Sequence, residues 1–236
     1  MTLKPKSIRS MTRRLFCLVL AFITPLLGQD EDPKKKSGSG VEVKFFAEMV
    51  PPNLGTVFLL SGETRGDPFE LPSDFLSNPV VVPERAMVLK TTNKEIPLCS
   101  ITLPETGKSF AVILVANKPA GYKPIVVRTD DPAFKSGDVF FINRSDKLIV
   151  AKLGTTPLAL KPGTTAKSRP DGAVDNTYYN IIFATREASG DKLLSSSRWP
   201  IDNLQRSYVI FFTSANGKTS FRAIDEYLPA PEGAKP

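Results

Sequence analysis

The chain has 236 residues, of which 41% are hydrophobic and 23% charged, and its formal net charge is +7. This length and composition allow one large domain or two small domains with a buried core. Five of the 31 basic residues and no acidic residue fall in the first 28 positions, which leaves 26 basic against 24 acidic residues elsewhere. Because nucleic-acid binding requires a clustered basic face and none is visible, nucleic acid is excluded as a partner.

The absence of histidine limits the chemistry of the chain. It removes the commonest general base, the usual metal ligand and the Ser-His-Asp relay. Two acidic pairs remain, Asp130-Asp131 and Asp225-Glu226, and each is interpreted as a solvated end of a strand because neighbours in an extended chain point to opposite sides. The sequence therefore predicts a protein that is not an enzyme and that has no cofactor and no metal site.

The N-terminus has the pattern of a secretory signal. A basic region is followed by the apolar run Leu15 to Gly28, which is shorter than the roughly 20 residues of a membrane span. We expect a signal peptide over residues 1–28 and export to the periplasm or the extracellular space. The alternative is an uncleaved anchor, which would be the protein's only contact with a membrane.

Two segments are predicted to be disordered. Residues 29–40 (QDEDPKKKSGS and a final Gly) are polar throughout, so they cannot bury enough apolar surface to offset the entropy of ordering. Residues 229–236 form a short tail rich in proline and small residues. Ordered structure is expected between these two segments.

The first half of the ordered part reads as a series of short strands bounded by turn residues. The expected strands are Val41 to Phe46, Thr56 to Leu60, Phe69 to Pro72, Val80 to Val82, Ala86 to Lys90, Ile96 to Leu103, Phe110 to Ala116 and Ile125 to Arg128. Within this pattern Cys99 is interpreted as a small hydrophobic residue of the core. These strands predict a β-sandwich over residues 41–129.

The second half repeats this pattern. Ser109 to Asn117 (SFAVILVAN) matches Ser207 to Asn216 (SYVIFFTSAN), with one extra residue in the later stretch, and Asn216-Gly217 predicts a hairpin. The repeat distance is close to the roughly 100 residues of an immunoglobulin-like domain. We therefore expect an all-β protein of two tandem immunoglobulin-like β-sandwich domains, residues 41–129 and 130–228. The alternative is one sandwich whose two sheets each draw on both halves.

Few residues stand out as candidates for binding. Trp199 is the sole tryptophan and is flanked by Arg198, so it could stack on a ligand, although a place in the core is the simpler interpretation. Tyr178 and Tyr179 alternate along a strand, so one of them should face solvent. Asn143-Arg144-Ser145 has the form of a glycosylation sequon.

These observations predict an exported, non-enzymatic module of the cell envelope. It would contact a protein or a polysaccharide through sandwich loops or through a sheet edge. One alternative is a periplasmic assembly chaperone with two immunoglobulin-like domains, which would need basic residues between the domains. Lys123, Arg128 and Lys135 are the candidates for that role. A hydrolase that uses carboxylates is the remaining alternative.

Overall fold

All regular structure in the described part of the chain is β-strand. The computed structural model describes residues 40–117, 120–214 and 216–229, and these ranges contain sixteen strands and no helix. Accordingly, no helix that could span a membrane is found in them. The expected signal peptide (1–28), the spacer apart from Gly40 and the tail apart from Pro229 lie outside the described residues.

Eight strands come from the first half of the chain. They are β1 (Val41–Ala47), β2 (Val57–Ser61), β3 (Thr64–Arg65), β4 (Val80–Val82), β5 (Ala86–Thr91), β6 (Pro97–Thr102), β7 (Ser109–Ala116) and β8 (Tyr122–Arg128). They form sheet A, in the order β4-β1-β7-β8, and sheet B, in the order β3-β2-β5-β6. The expected strand at Phe69 is reduced to a single bridge to Val57.

Eight more strands come from the second half. They are β9 (Val139–Asn143), β10 (Leu148–Leu153), β11 (Thr156–Leu160), β12 (Thr165–Ser168), β13 (Thr177–Glu187), β14 (Gly190–Ile201), β15 (Gln205–Thr213) and β16 (Thr219–Tyr227). They form sheet C, in the order β12-β9-β15-β16, and sheet D, in the order β11-β10-β13-β14. Each of the four sheets takes all of its strands from one half of the chain.

Sheets A and C have the same pattern of pairing. In sheet A, β1 runs parallel to β7 and antiparallel to β4; in sheet C, β9 runs parallel to β15 and antiparallel to β12. The predicted hairpin at Asn216-Gly217 is confirmed, because β15 and β16 pair antiparallel from Thr213↔Thr219 to Gln205↔Tyr227. Gly217 has a φ of 76°, a left-handed conformation that glycine adopts without strain.

The sheets pack in pairs because the central strands β7 and β15 of the inner sheets A and C carry buried apolar residues on both faces. Phe45, Phe110 and Val112 of sheet A pack against sheet B, whereas Phe141 and Phe211 of sheet C pack against sheet D. Complete burial of one such phenylalanine contributes about 2 kcal/mol. The structure is therefore all-β, as predicted, and its four-stranded sheets form β-sandwiches.

A third core lies between sheets A and C. Phe46 and Ile113 of sheet A pack there against Tyr208 and Ile210 of sheet C, and all four are almost fully buried. The connection from β8 to β9 contributes Phe134, whose ring lies 5.7 Å from that of Tyr208 in an edge-to-face arrangement. The four sheets are thus stacked in the order B, A, C, D, with an apolar layer between each neighbouring pair.

Candidate functional site

The sandwich of sheets C and D opens into a cleft of about 360 Å³. The cleft lies where β13 begins and where β14 and β16 end, and residues at the starts of β9 and β15 complete its lining. At this end the apolar core gives way to polar side chains. We call this space the C–D cleft.

Three aromatic side chains line the C–D cleft: Tyr179, Trp199 and Tyr227. Tyr179 and Trp199 are directly opposite each other in the β13–β14 pair, so they project from the same face of sheet D. Trp199 is half-buried, packs edge-to-face on Phe183 at 5.9 Å and donates its indole N–H to Ser197 Oγ at 3.1 Å. Tyr227 is 69% exposed. The cleft thus has an aromatic wall that extends from the core to solvent.

Three carboxylates also line the C–D cleft: Asp138, Asp202 and Asp225. Both oxygens of Asp138 accept hydrogen bonds, one from Arg169 Nε and one from the Lys135 backbone N–H, each at 2.6 Å. Asp202 Oδ1 accepts from the backbone N–H of Leu204 at 2.7 Å. Each of these bonds fixes the position of a carboxylate at the rim.

Asp225 faces the cleft because of its place on β16. Its Oδ1 atom accepts a hydrogen bond from Ser207 Oγ at 2.6 Å, across the β15–β16 pair. Burial, together with the nearby charge of Asp225, raises the pKa of Tyr179. Tyr179 therefore remains a neutral phenol, and its hydroxyl group is a hydrogen-bond donor at neutral pH.

Among the described residues that line the cleft, Arg206 is the one basic residue, and its side chain is directed away from the cleft. Its Nε atom donates to Glu226 Oε2 at 2.6 Å, and its NH1 atom donates to the backbone oxygen of Thr129 at 2.6 Å. Its guanidinium also lies 4.6 Å from the ring centroid of Phe134. Arg206 is therefore engaged by groups on the opposite face of sheet C, and the charged side chains that face the cleft are carboxylates.

The four aromatic and basic residues singled out in the sequence divide between two faces of sheet D. Tyr179 and Trp199 lie in the C–D cleft, whereas Tyr178 and Arg198 lie on the outer face, because adjacent residues of a strand point in opposite directions. Tyr178 is 63% exposed, and the Arg198 guanidinium lies 5.4 Å from its ring centroid. Two of these four residues, Tyr179 and Trp199, therefore lie together in the C–D cleft.

The three basic candidates for a role between the halves do not come together. Lys123 and Lys135 are exposed, on β8 and in the β8–β9 connection, and Arg128 donates to Asp130 at 2.7 Å. The polar contacts between sheets A and C instead use Lys44 and Arg222. Lys44 pairs with Glu226 at 2.8 Å, and Arg222 NH1 donates to two backbone oxygens of the first half, Glu48 at 3.0 Å and Ser73 at 2.9 Å.

Sequence reasoning missed the acidic part of the cleft. The pair Asp225-Glu226 was interpreted as a strand end, yet both residues lie within β16. Their opposite directions place Asp225 at the cleft and Glu226 in the buried layer between sheets A and C. The alternation Ala223, Asp225, Tyr227 was the available signal, because residues two apart share one face of a strand.

The sequon residue Asn143 is completely buried. Its Nδ2 atom donates to the backbone oxygens of Lys147 at 2.8 Å and Leu160 at 2.9 Å, and its Oδ1 atom accepts from Ser145. A glycan attached to Nδ2 would require both donor bonds to break. The sequon residue therefore has a structural role, and a glycan on Asn143 is incompatible with this fold.

Within residues 40–117, 120–214 and 216–229 there is no group of three or more Asp, Glu or Cys side chains placed to hold a metal ion. Comparison of the chain with protein-family models and with curated proteins finds no match.

Proposed function

We propose that the protein is an exported, non-enzymatic binding module of the cell envelope that holds a protein or a polysaccharide in the C–D cleft. The observation that supports the proposal is that Tyr179, Trp199 and Tyr227 line the same cleft as three aspartate side chains. Ligand sites are typically concave and largely apolar or aromatic, with a small number of polar groups that fix orientation. The free edges of β14 and β16 border the same space.

Export is supported by the sequence alone. The basic region before residue 15 and the apolar run Leu15 to Gly28 fit a secretory signal better than a membrane span. The resulting location would be the periplasm or the extracellular space. A polysaccharide or a protein of the envelope would then be within reach of the cleft.

We also propose that the two halves are tandem domains with an immunoglobulin-like arrangement, derived from one copied unit. The matching strand orders of sheets A and C, and of sheets B and D, support the copying. Each half has two packed sheets of mainly antiparallel strands, as immunoglobulin-like domains do. The parallel β1–β7 and β9–β15 pairs occupy equivalent positions in the two halves.

The chaperone alternative has less support. A chaperone of this design would hold a partner strand in a basic cleft between the halves. Sheets A and C instead pack directly on each other through Phe46, Ile113, Tyr208 and Ile210. Lys123 is exposed near the start of β8, and Arg128, at the other end of β8, is paired with Asp130.

A carboxylate hydrolase is the second candidate, because Asp138, Asp202 and Asp225 line one cleft. Such an enzyme needs one carboxylic acid to donate a proton and a second carboxylate to act as base or nucleophile. Both oxygens of Asp138 already accept hydrogen bonds from protein groups, so this carboxylate is engaged within the protein. Release of reducing ends from envelope polysaccharide, lost in D225N, would establish the hydrolase instead of the binding module.

The experiment for the binding module uses Trp199, the only tryptophan, as a reporter of the cleft. Fractions of envelope polysaccharide and envelope protein are added to the full chain, and the tryptophan emission is recorded. The variant Ala223→Arg places a long side chain in the cleft from an exposed position. We expect one fraction to give a saturable change with the native chain and no change with A223R. Equal responses from both proteins would place the binding site elsewhere.

A further inference from the structure

Negative charge predominates among the ionisable side chains that line the C–D cleft. Of its carboxylates, Asp138 is paired with Arg169 at 2.6 Å. Among the described residues no basic side chain forms an ion pair with Asp202 or Asp225. Arg206 is paired with Glu226 on the other face of sheet C, where Lys44 shares the same carboxylate. Asp202 and Asp225 therefore give the cleft negative charge that no ion pair compensates in the part of the chain that the structure describes.

The aromatic residues of the cleft also favour a cationic ligand. The faces of Tyr and Trp rings carry negative electrostatic potential and attract lysine and arginine side chains. Tyr179, Trp199 and Tyr227 surround the same space as Asp225. A cationic group placed there would lie beside both the aromatic rings and the carboxylate oxygens, whereas the carboxylates would repel an anionic ligand.

The edge of sheet C provides a way to present such a group. β16 is the last strand of sheet C, and within the described ranges its backbone pairs only with β15. Its residues Ala223, Asp225 and Tyr227 face the cleft. A strand added beside β16 would place every second side chain on the same side as these three residues.

We infer that the C–D cleft binds a lysine or arginine side chain carried on an extended segment of a partner protein, which pairs through its backbone with the free edge of β16. This inference rests on the proposed binding role of the cleft and specifies the class of ligand. The charge complementarity comes from Asp202 and Asp225, and the aromatic contact comes from Trp199 and Tyr227. Backbone pairing supplies affinity that is independent of the remaining sequence of the partner.

The test is a titration of the full chain with synthetic peptides, in which the fluorescence emission of Trp199 reports binding. The probe is a threonine-rich peptide of the length of β16 with one central lysine and blocked ends, and the matched control has norleucine in place of the lysine. A charge-assisted hydrogen bond contributes enough free energy that we expect the control peptide to bind about tenfold more weakly. Added salt should weaken the lysine peptide and leave the control unchanged.

Three variants locate the binding. D225N and D202N keep the side-chain size and remove charge, and we expect each to weaken the lysine peptide by about tenfold. D67N removes the charge of an exposed aspartate in the loop after β3 and should have no effect. A peptide N-methylated at every backbone amide should also bind more weakly. Circular dichroism of each variant reports whether it is folded. D225N and D202N change different segments of the cleft, so either variant tests the inference if the other fails to fold.

The outcomes separate this inference from the proposed function. Equal binding of the lysine and norleucine peptides, or unchanged binding in both D225N and D202N, would overturn the cationic ligand. Undiminished binding of the N-methylated peptide would overturn strand pairing. If an envelope polysaccharide saturates the Trp199 signal and A223R abolishes it, while the lysine peptide gives none, the cleft is a binding site and the inference is wrong.

Discussion

The Nζ atom of Lys44 lies 2.8 Å from Oε1 of Glu226, which joins the first strand of the fold to the last. The other oxygen of Glu226 accepts from Arg206 at 2.6 Å and from the Tyr208 hydroxyl at 2.7 Å. Glu226 is only 4% exposed, so its charge depends on these partners for compensation. This buried group therefore links sheets A and C, and sheet C also forms one wall of the C–D cleft.

The first prediction concerns the pH dependence of this group. Burial alone would raise the pKa of Glu226, but hydrogen bonds from Arg206 and Lys44 outweigh burial and hold the pKa below its ordinary value. A carboxyl group with a lower pKa in the folded chain stabilises the protein above its unfolded pKa, and this stabilisation is lost as the pH falls through the folded pKa.

Glu226→Gln should therefore lower the free energy of unfolding by about 3 kcal/mol at neutral pH, because it leaves Arg206 buried without its charged partner. Urea unfolding at a series of pH values measures this. The difference from the native protein should shrink as the pH falls below about 4. The exposed control E105Q should match the native protein throughout. A difference for E226Q that does not change with pH would contradict the assigned charge state.

The second prediction concerns Asn143. Asn143→Ala removes the donors for the backbone oxygens of Lys147 and Leu160 and leaves both without those bonds. A buried unsatisfied polar group costs about 1 to 3 kcal/mol, so thermal unfolding should occur at a clearly lower temperature. Asn203→Ala, on an exposed residue, is the control and should change little. Equal melting of the two variants would show that the Asn143 bonds contribute nothing to stability.

The third prediction separates crowding from backbone strain. Gly121 and Gly163 have similar positive φ values, 84° and 76°, but a Cβ atom at Gly121 would lie 2.4 Å from the Leu98 backbone oxygen, whereas none would meet an atom within 4 Å at Gly163. Gly163→Ala should cost about 1 kcal/mol through strain alone. Gly121→Ala should cost more, measured by chemical denaturation. Equal losses of unfolding free energy in the two variants would contradict this prediction, because they would mean that the β6 backbone moves away from the added methyl group without a free-energy cost.

The fourth prediction concerns Cys99, which is half-buried against the core between sheets A and B. Burial raises the pKa of its thiol to about 11. In a Cys17→Ser background, alkylation by iodoacetamide near pH 8 should be about a hundredfold slower in the folded than in the unfolded chain, because the thiolate fraction is that much smaller. Similar rates in the two states would contradict the burial of this residue.

The sequence predicted most strands because alternation and turn residues are local signals. The apolar runs at β1, β5, β7 and β15 were found almost to their ends, and the hairpin after β15 was found from Asn216-Gly217. The short strand β12 carries no apolar run, so it was missed. The pairing of β1 with β7 is parallel and distant in sequence, and no local pattern encodes it.

Residue-level matches between the halves were less accurate than strand-level matches. The resemblance of Asp138-Val139-Phe140-Phe141 to Val43-Lys44-Phe45-Phe46 matches Phe140 with Phe45. Phe45, however, packs between sheets A and B, whereas Phe140 packs between sheets A and C. A shift of one residue reverses every face of a strand, so that match is wrong by one position. When Ser109 to Asn117 is aligned with the later stretch on its final asparagine, Phe110 falls opposite Val209, and both face outer sheets.

The candidate site could be predicted only in part for the same reason. Trp199 and Tyr179 were found because a lone tryptophan and paired tyrosines are conspicuous in the sequence. Asp225 and Tyr227 come from another sheet, and Asp138 precedes β9 of that sheet, so their meeting with Tyr179 and Trp199 depends on how sheets C and D pack. Side-chain alternation gives the face of each residue but not the sheet that covers it.

The most direct test of the cleft as the binding site is site-specific photo-crosslinking to the envelope. A photoreactive phenylalanine analogue replaces Tyr227, in the cleft, or Tyr178, on the outer face of sheet D; the two residues are similarly exposed, at 69% and 63%. We predict that the analogue at position 227 crosslinks an envelope component and that the analogue at position 178 does not. Crosslinking from position 178 alone, or equally from both, would contradict a binding site in the C–D cleft.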